Sequence, residues 1–151
     1  IMPSLVGSEM CIRDSSRTGR AWQHLRRNPV SVAAAHAVLD ALEDGTLFAD
    51  AHRIESTLRD GLTELAVRHP QIGDIRGHGA MMAFELTIPG TTAPLVGAAT
   101  AISEYAARRG VILLTAGSDG NVIRFLPALG ISDGQLRVAL NIIEEALACT
   151  A

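Results

Sequence analysis

The chain reads as an α+β domain in the order α-α-β-β-α-β-β-α, with helices on one face of a small, mainly antiparallel sheet. Three observations predict it. Long segments carry apolar residues three or four apart, short segments alternate apolar with small or polar residues, and glycine or proline stands at the junctions between them.

The first helix opens at Asn28-Pro29 and continues through VSVAAAHAVLDALEDG. Asn28 suits the N-cap, Pro29 suits the first helical position, where an N–H would have no partner, and Gly45 suits a left-handed stop. A second helix runs from about Thr46 to His69, with Leu47, Ala51, Ile54, Leu58, Leu62 and Leu65 on one face, and Pro70 ends it. The segment QIGDIRGHGAMMAFELT has glycines at 73, 77 and 79 and then alternating Met82, Phe84 and Leu86, which predicts one strand or two. Pro94 is expected to start a third helix with Leu95, Ala98, Ile102 and Tyr105 inward. Gly110 caps it, after Arg108 and Arg109 placed against the negative end of the dipole. VILLT and VIRFL read as strands joined by the turn AGSDGN, and Pro127 closes the second. Ser132 and Gln135 form a capping box for the last helix, in which Leu136, Leu140, Ile143 and Leu147 make the buried stripe. There is no internal repeat.

At 151 residues, 48% hydrophobic and 19% charged, the chain is one domain's worth of sequence and should bury a core. No stretch reaches the roughly 18 apolar residues of a membrane span. Cys11 and Cys149 lie near opposite ends and match no metal or redox spacing, so a disulfide is not expected and a reducing, cytoplasmic setting is. All 13 basic residues are arginine; lysine is absent.

His24, His36, His52, His69 and His78 show no i, i+4 pair and no carboxylate at ligand spacing, so no metal site is expected. GSDG at 117–120 lacks the order of a nucleophile elbow. The glycines at 73–79 do not form a dinucleotide fingerprint, and both stretches read as turns. Arg124 is different. It sits inside the otherwise apolar NVIRFLPAL, where an unpaired buried guanidinium would be costly, so it needs an anion or water. Three placements meet that need: an internal salt bridge, an edge strand with the side chain in solvent, or a bidentate clamp on a substrate carboxylate.

Four blocks, NPVSVAAAHAVLDAL, HPQIGDIRGHGAMMAFEL, RRGVILLTAGSDGNVIRFLPAL and the ISDGQL helix, come in the order found in one family. From Asn28 to about Ala148 the sequence resembles the C-terminal part of a class III, fold type I aminotransferase dependent on pyridoxal phosphate, and most resembles the 4-aminobutyrate aminotransferases. The resemblance implies the small domain of that fold for residues 46–151, preceded by an inter-domain helix over 28–45. It matches Arg124 to the arginine that binds a substrate carboxylate such as that of glutamate or 2-oxoglutarate. It gives no contact for Gly79 or Met81, and His78 is expected to be structural.

Such transamination needs a lysine to hold the cofactor as a Schiff base and move the substrate proton. The chain has none. The family's lysine lies upstream of the NP helix, as does the aspartate facing the pyridine nitrogen. The resemblance therefore implies a missing N-terminal cofactor domain, a homodimeric parent, and no catalysis by this chain alone. It also implies GSTYGG or a similar stretch just before NP, with a threonine that bonds the cofactor phosphate across the dimer. WQHLRR stands there instead. One codon choice for it, TGG CAG CAC CTA CGG CGG, read one base later, encodes Gly-Ser-Thr-Tyr-Gly and the start of another Gly. A single lost base near Arg27 is the expected cause of the difference.

Further upstream, LVGSEMCIRDS resembles a translated transposon adapter of the kind used in sequencing libraries. Residues 1–27 are accordingly expected to be adapter (1–15) and out-of-frame gene (16–27), with Cys11 and Trp22 carrying no function. Without them 8 arginines face 14 acids, a net −6, which disfavours nucleic acid and anionic membranes as partners. Two functions remain: a fragment of a transaminase moving an amino group from 4-aminobutyrate or a similar ω-amino acid to 2-oxoglutarate, or a stand-alone module that holds a small carboxylate with Arg124.

Overall fold

A computed structural model of the chain describes residues 29–149. The expected N-cap Asn28, the adapter-like segment, Cys11, Trp22 and His24 lie outside the described residues. The chain divides into two compact units, residues 1–44 and residues 45–151.

In the first unit the described element is helix α1, Pro29–Glu43. It is rich in alanine and valine and has no buried residue; Val32, Val38 and Leu39 are all exposed.

The second unit holds α2 (Thr46–Arg68), β1 (Ile72–His78), β2 (Met81–Leu86), α3 (Ala98–Ala107), β3 (Leu114–Ala116), β4 (Val122–Phe125) and α4 (Asp133–Cys149). Gly45 is left-handed, as expected, and the same residue is the N-cap of α2. All three strand pairings are antiparallel, in the order β1-β2-β4-β3. β2 and β3 thus run the same way on either side of β4, linked by α3 in a split crossover.

Register decides the faces. Met82 lies opposite Phe125 and Phe84 opposite Ile123, and all four are buried. They meet Ile54, Leu58, Leu62 and Leu65 of α2 and Ala99, Ile102 and Ala106 of α3 in one core, which α4 completes by packing on α2 and α3 through Leu136, Leu140, Ile143 and Leu147. The Phe84 and Phe125 rings are tilted, with centroids 6.0 Å apart, a favourable aromatic geometry. The opposite face of the sheet carries Arg76, Ala83, Arg124 and Leu114 in one cross-strand row, and among the described residues of this unit no helix packs on it.

The expected capping box forms. The Gln135 N–H donates to Ser132 Oγ at 3.3 Å, and the Ser132 N–H donates to Gln135 Oε1 at 3.0 Å. The β1–β2 connection is a two-residue hairpin turn whose first residue, Gly79, has φ +57, the pattern of a II′ turn.

Three expectations are corrected. Pro94 does not start α3. It forms an extended bridge with Thr87, the Leu95 N–H donates to the Leu86 carbonyl, and the helix begins at Ala98 after left-handed Gly97. A proline's fixed φ serves an extended bridge as well as a first helical turn. The strand expected over 111–115 is shorter and later, because the Val111 N–H is bonded to the Ala106 carbonyl and so still belongs to the helix C-terminus. Finally β4 is an interior strand, so the edge-strand part of that placement of Arg124 does not hold, while its side chain does face solvent.

Candidate functional site

The site is organised by β4. Its alternation sends Ile123 and Phe125 into the core and leaves Arg124 exposed on the helix-free face. Strands β2 and β3 flank it, with Ala83 and Leu114 as the residues directly opposite Arg124. Ala83 is small, so nothing tall stands beside the guanidinium on that side. Of the three placements open from the sequence, the internal salt bridge is also absent: among the described residues no carboxylate pairs with Arg124, whereas Arg53, Arg59, Arg68, Arg76 and Arg109 all have acidic partners. The exposed guanidinium avoids the burial penalty and keeps its five donors for a ligand.

A groove of about 1140 Å³ opens beside Arg124, lined among others by Leu113, Leu114, Phe125, Leu126, Pro127 and Gln135. Its wall after Arg124, the β4–α4 connection, is held by Arg53 of α2. Arg53 donates to the carbonyls of Leu129 (3.3 Å) and Ile131 (2.9 Å) and pairs with Asp133 and Asp50. The bond to Asp133 raises the Arg53 pKa above its ordinary value, so the clamp keeps its charge. A cation at the mouth of an apolar groove suits a small molecule with a carboxylate at one end and an aliphatic body.

The turn end of the hairpin is fastened by a second cluster. Glu55 accepts the Gly79 N–H at 2.6 Å and an Arg59 donor at 2.9 Å, and His78 Nδ1 lies 3.4 Å away. These bonds, the Gly79 N–H first, lower its pKa from 4.5 to about 2. Gly79 thus has a contact that the sequence did not supply. Met81 is exposed, and His78 is 94% exposed at the rim of the Glu55 cluster.

Asn121, which precedes β4, is the site residue that sequence reasoning passed over. It is 2% exposed, and its amide donates to the Leu86 carbonyl (2.9 Å) and to Glu85 (3.2 Å). Its position after a glycine turn reads as an ordinary loop polar residue, and only the cross-strand partner reveals it.

Among the described residues no group of histidines, cysteines and acids could hold a metal ion, and no helix is long and apolar enough to cross a membrane. Cys149 is exposed. The chain has no lysine, so no side-chain amine in it is available to form a Schiff base with pyridoxal phosphate.

The profile of the class III aminotransferases matches residues 13–147, and the chain belongs to that family. It is 44% identical over 116 residues to the 4-aminobutyrate aminotransferase of Mycobacterium tuberculosis, an alignment covering 77% of this chain and 26% of that protein. It is 38% identical over 121 residues to the 5-aminovalerate aminotransferase of Pseudomonas putida, covering 80% and 28%. Among solved structures, a PLP-bound amine transaminase from an uncultivated Pseudomonas species superposes with a TM-score of 0.70 at 31% identity, over 82% of this chain and 28% of that one. The chain therefore spans roughly a quarter to a third of the relatives it matches.

Proposed function

We propose that the chain is the C-terminal small-domain part of a pyridoxal-phosphate-dependent aminotransferase. The parent is a homodimer that moves an amino group from 4-aminobutyrate or a similar ω-amino acid to 2-oxoglutarate. Residues 28–45 form the inter-domain helix and 46–151 the small domain, while residues 1–27 are adapter and out-of-frame sequence. The cofactor supplies the electron sink for transamination. This chain supplies a grip on the substrate carboxylate by Arg124, which orients the amino acid. By itself the chain does not catalyse.

The observation that carries this reading is Arg124: an exposed guanidinium on an interior strand, without an acidic partner among the described residues, beside a mainly apolar groove, in a chain of this family. A charge-assisted bidentate pair contributes about 1.5–3 kcal/mol, equivalent to roughly 10- to 150-fold in affinity. The test is kinetic. In the product of the intact gene, Arg124→Gln is expected to raise KM for 2-oxoglutarate by about that factor with a smaller change in kcat. An unchanged KM removes Arg124 from the site. The 151-residue chain, given pyridoxal phosphate, 4-aminobutyrate and 2-oxoglutarate, is expected to make no glutamate.

The same exposed Arg124 also admits the second reading, a carboxylate-binding module without catalysis. The two part on the gene: a native start codon near Asn28 supports the module, and an upstream frame with a cofactor lysine supports the transaminase.

A further inference from the structure

Glu85 occupies an unusual position on the helix-free face. The register sets Asp74 and Val122 directly opposite it, on β1 and β4, and sets both Arg76 and Arg124 opposite its same-face neighbour Ala83. Glu85 is therefore the diagonal neighbour of two arginines, one on each side, at the roughly 7–8 Å separation that long side chains span. Only one of them receives it. Arg76 Nη1 donates to Glu85 Oε2 at 2.8 Å and to Asp74 at 2.6 Å, and the buried Asn121 amide donates to Glu85 Oε1 at 3.2 Å. Both oxygens of Glu85 are thus engaged, Oε2 by Arg76 on the β1 side and Oε1 by Asn121, which adjoins Val122 at the start of β4, and Arg124 has no acidic partner among the described residues.

We infer that Arg76, with Asn121, is a positioning residue that sequesters Glu85, so that the carboxylate nearest along this face does not occupy the guanidinium that receives the substrate. The inference rests on the reading of Arg124 as the carboxylate grip. The physical argument is a competition. A partly exposed glutamate between two arginines divides its time between them, and any share given to Arg124 competes with a ligand carboxylate for the same donors. Asp74 and Asn121 bias the choice. Asp74 holds the Arg76 guanidinium on the β1 side, where Glu85 can reach it, and Asn121 anchors the other Glu85 oxygen. Asn121 is itself fixed by its bond to the Leu86 carbonyl. Removing Arg76 frees one Glu85 oxygen and leaves Arg124 as the cation within reach.

The test is arginine labelling of the full 151-residue chain with p-hydroxyphenylglyoxal, read residue by residue by peptide mass spectrometry. Yields at Arg124 are normalised to Arg108 and Arg137, which are exposed and have no acidic partner among the described residues. In the wild-type chain Arg124 is labelled and added glutarate protects it. In Arg76→Met and in Arg76→Gln, labelling of Arg124 falls about threefold, the scale of change an exposed ion pair produces. In Arg76→Met/Glu85→Gln it returns to the wild-type level. Rescue by Glu85→Gln is the result that a merely structural role for Arg76 does not give. Labelling of Arg124 that is unchanged in both single variants overturns the inference, as does a fall that Glu85→Gln fails to restore. Failure of glutarate to protect Arg124 in the wild type overturns instead the carboxylate-grip reading, while the single and double variants still report whether Glu85 moves.

Discussion

Replacing Gly77 with alanine tests the account of the hairpin that carries Ala83 and Glu85 beside Arg124. Gly77 has φ +146, a region that side-chain-bearing residues rarely adopt. A Cβ there would lie 2.3 Å from the Met81 carbonyl oxygen and 2.6 Å from Met82 Cα. Both are backbone atoms of the paired strand and cannot move without opening the β1–β2 ladder. The unfavourable φ costs about 1–3 kcal/mol and the overlap about 1–3 kcal/mol more, so Gly77→Ala should destabilise by about 2–6 kcal/mol. Gly90→Ala is the control. Gly90 also has positive φ (+76), but nothing lies within 4 Å of its Cβ position, so only the conformational cost of about 1–2 kcal/mol applies. In urea unfolding followed by circular dichroism, with a slope of about 2 kcal/mol/M, the Gly77 variant should lose about 1–3 M in midpoint and the Gly90 variant clearly less. Equal losses in the two variants would refute the steric argument.

Three further outcomes follow from other parts of the molecule. Ser132→Ala removes half of the capping box at the start of α4 and should cost about 1 kcal/mol, a drop of about 3–5 °C in Tm by calorimetry. Glu55 has its folded pKa lowered to about 2 from 4.5, so the unfolded state takes up a proton first as the solution is acidified. Its stabilisation is present above pH 4.5 and disappears as the pH falls toward 2. The stability difference between wild type and Glu55→Gln should shrink over that window, and a difference constant with pH contradicts the clamp. Helix α1, with exposed Val32, Val38 and Leu39 and no buried residue, should drive self-association of the chain; a sharp monomer in sedimentation at high concentration counts against that.

The parts of the fold that could be read from the sequence are those whose signal is local. The α2 and α4 stripes, the Ser132–Gln135 box, the Met82-Phe84-Leu86 alternation and the stop at Gly45 all depend on residues within one or two turns of each other. The misplaced boundaries are those set by distant partners. Pro94 looks like a helix start until Thr87 is seen to pair with it, and VILLT looks like a five-residue strand although Ile112 is 87% exposed and the sheet takes up the chain only at Leu114. The same holds for the site. Arg124 could be singled out because a cation in an apolar strand is a local anomaly. That its strand is interior, that Arg76 draws off Glu85, and that Arg53 fastens the following connection depend on pairings across 40 or more residues, or across strands, that leave no local pattern.

The central claim, that these residues are the small domain of a transaminase whose carboxylate grip is Arg124, is tested most directly by long-read sequencing of the native gene through and upstream of the codons for residues 1–30. The account predicts GSTYGGNP in place of WQHLRRNP, preceded by one open frame that encodes the cofactor lysine. Codons for LVGSEMCIRDS standing intact in the genome, with no cofactor domain before them, would contradict it and leave the carboxylate-binding module in its place.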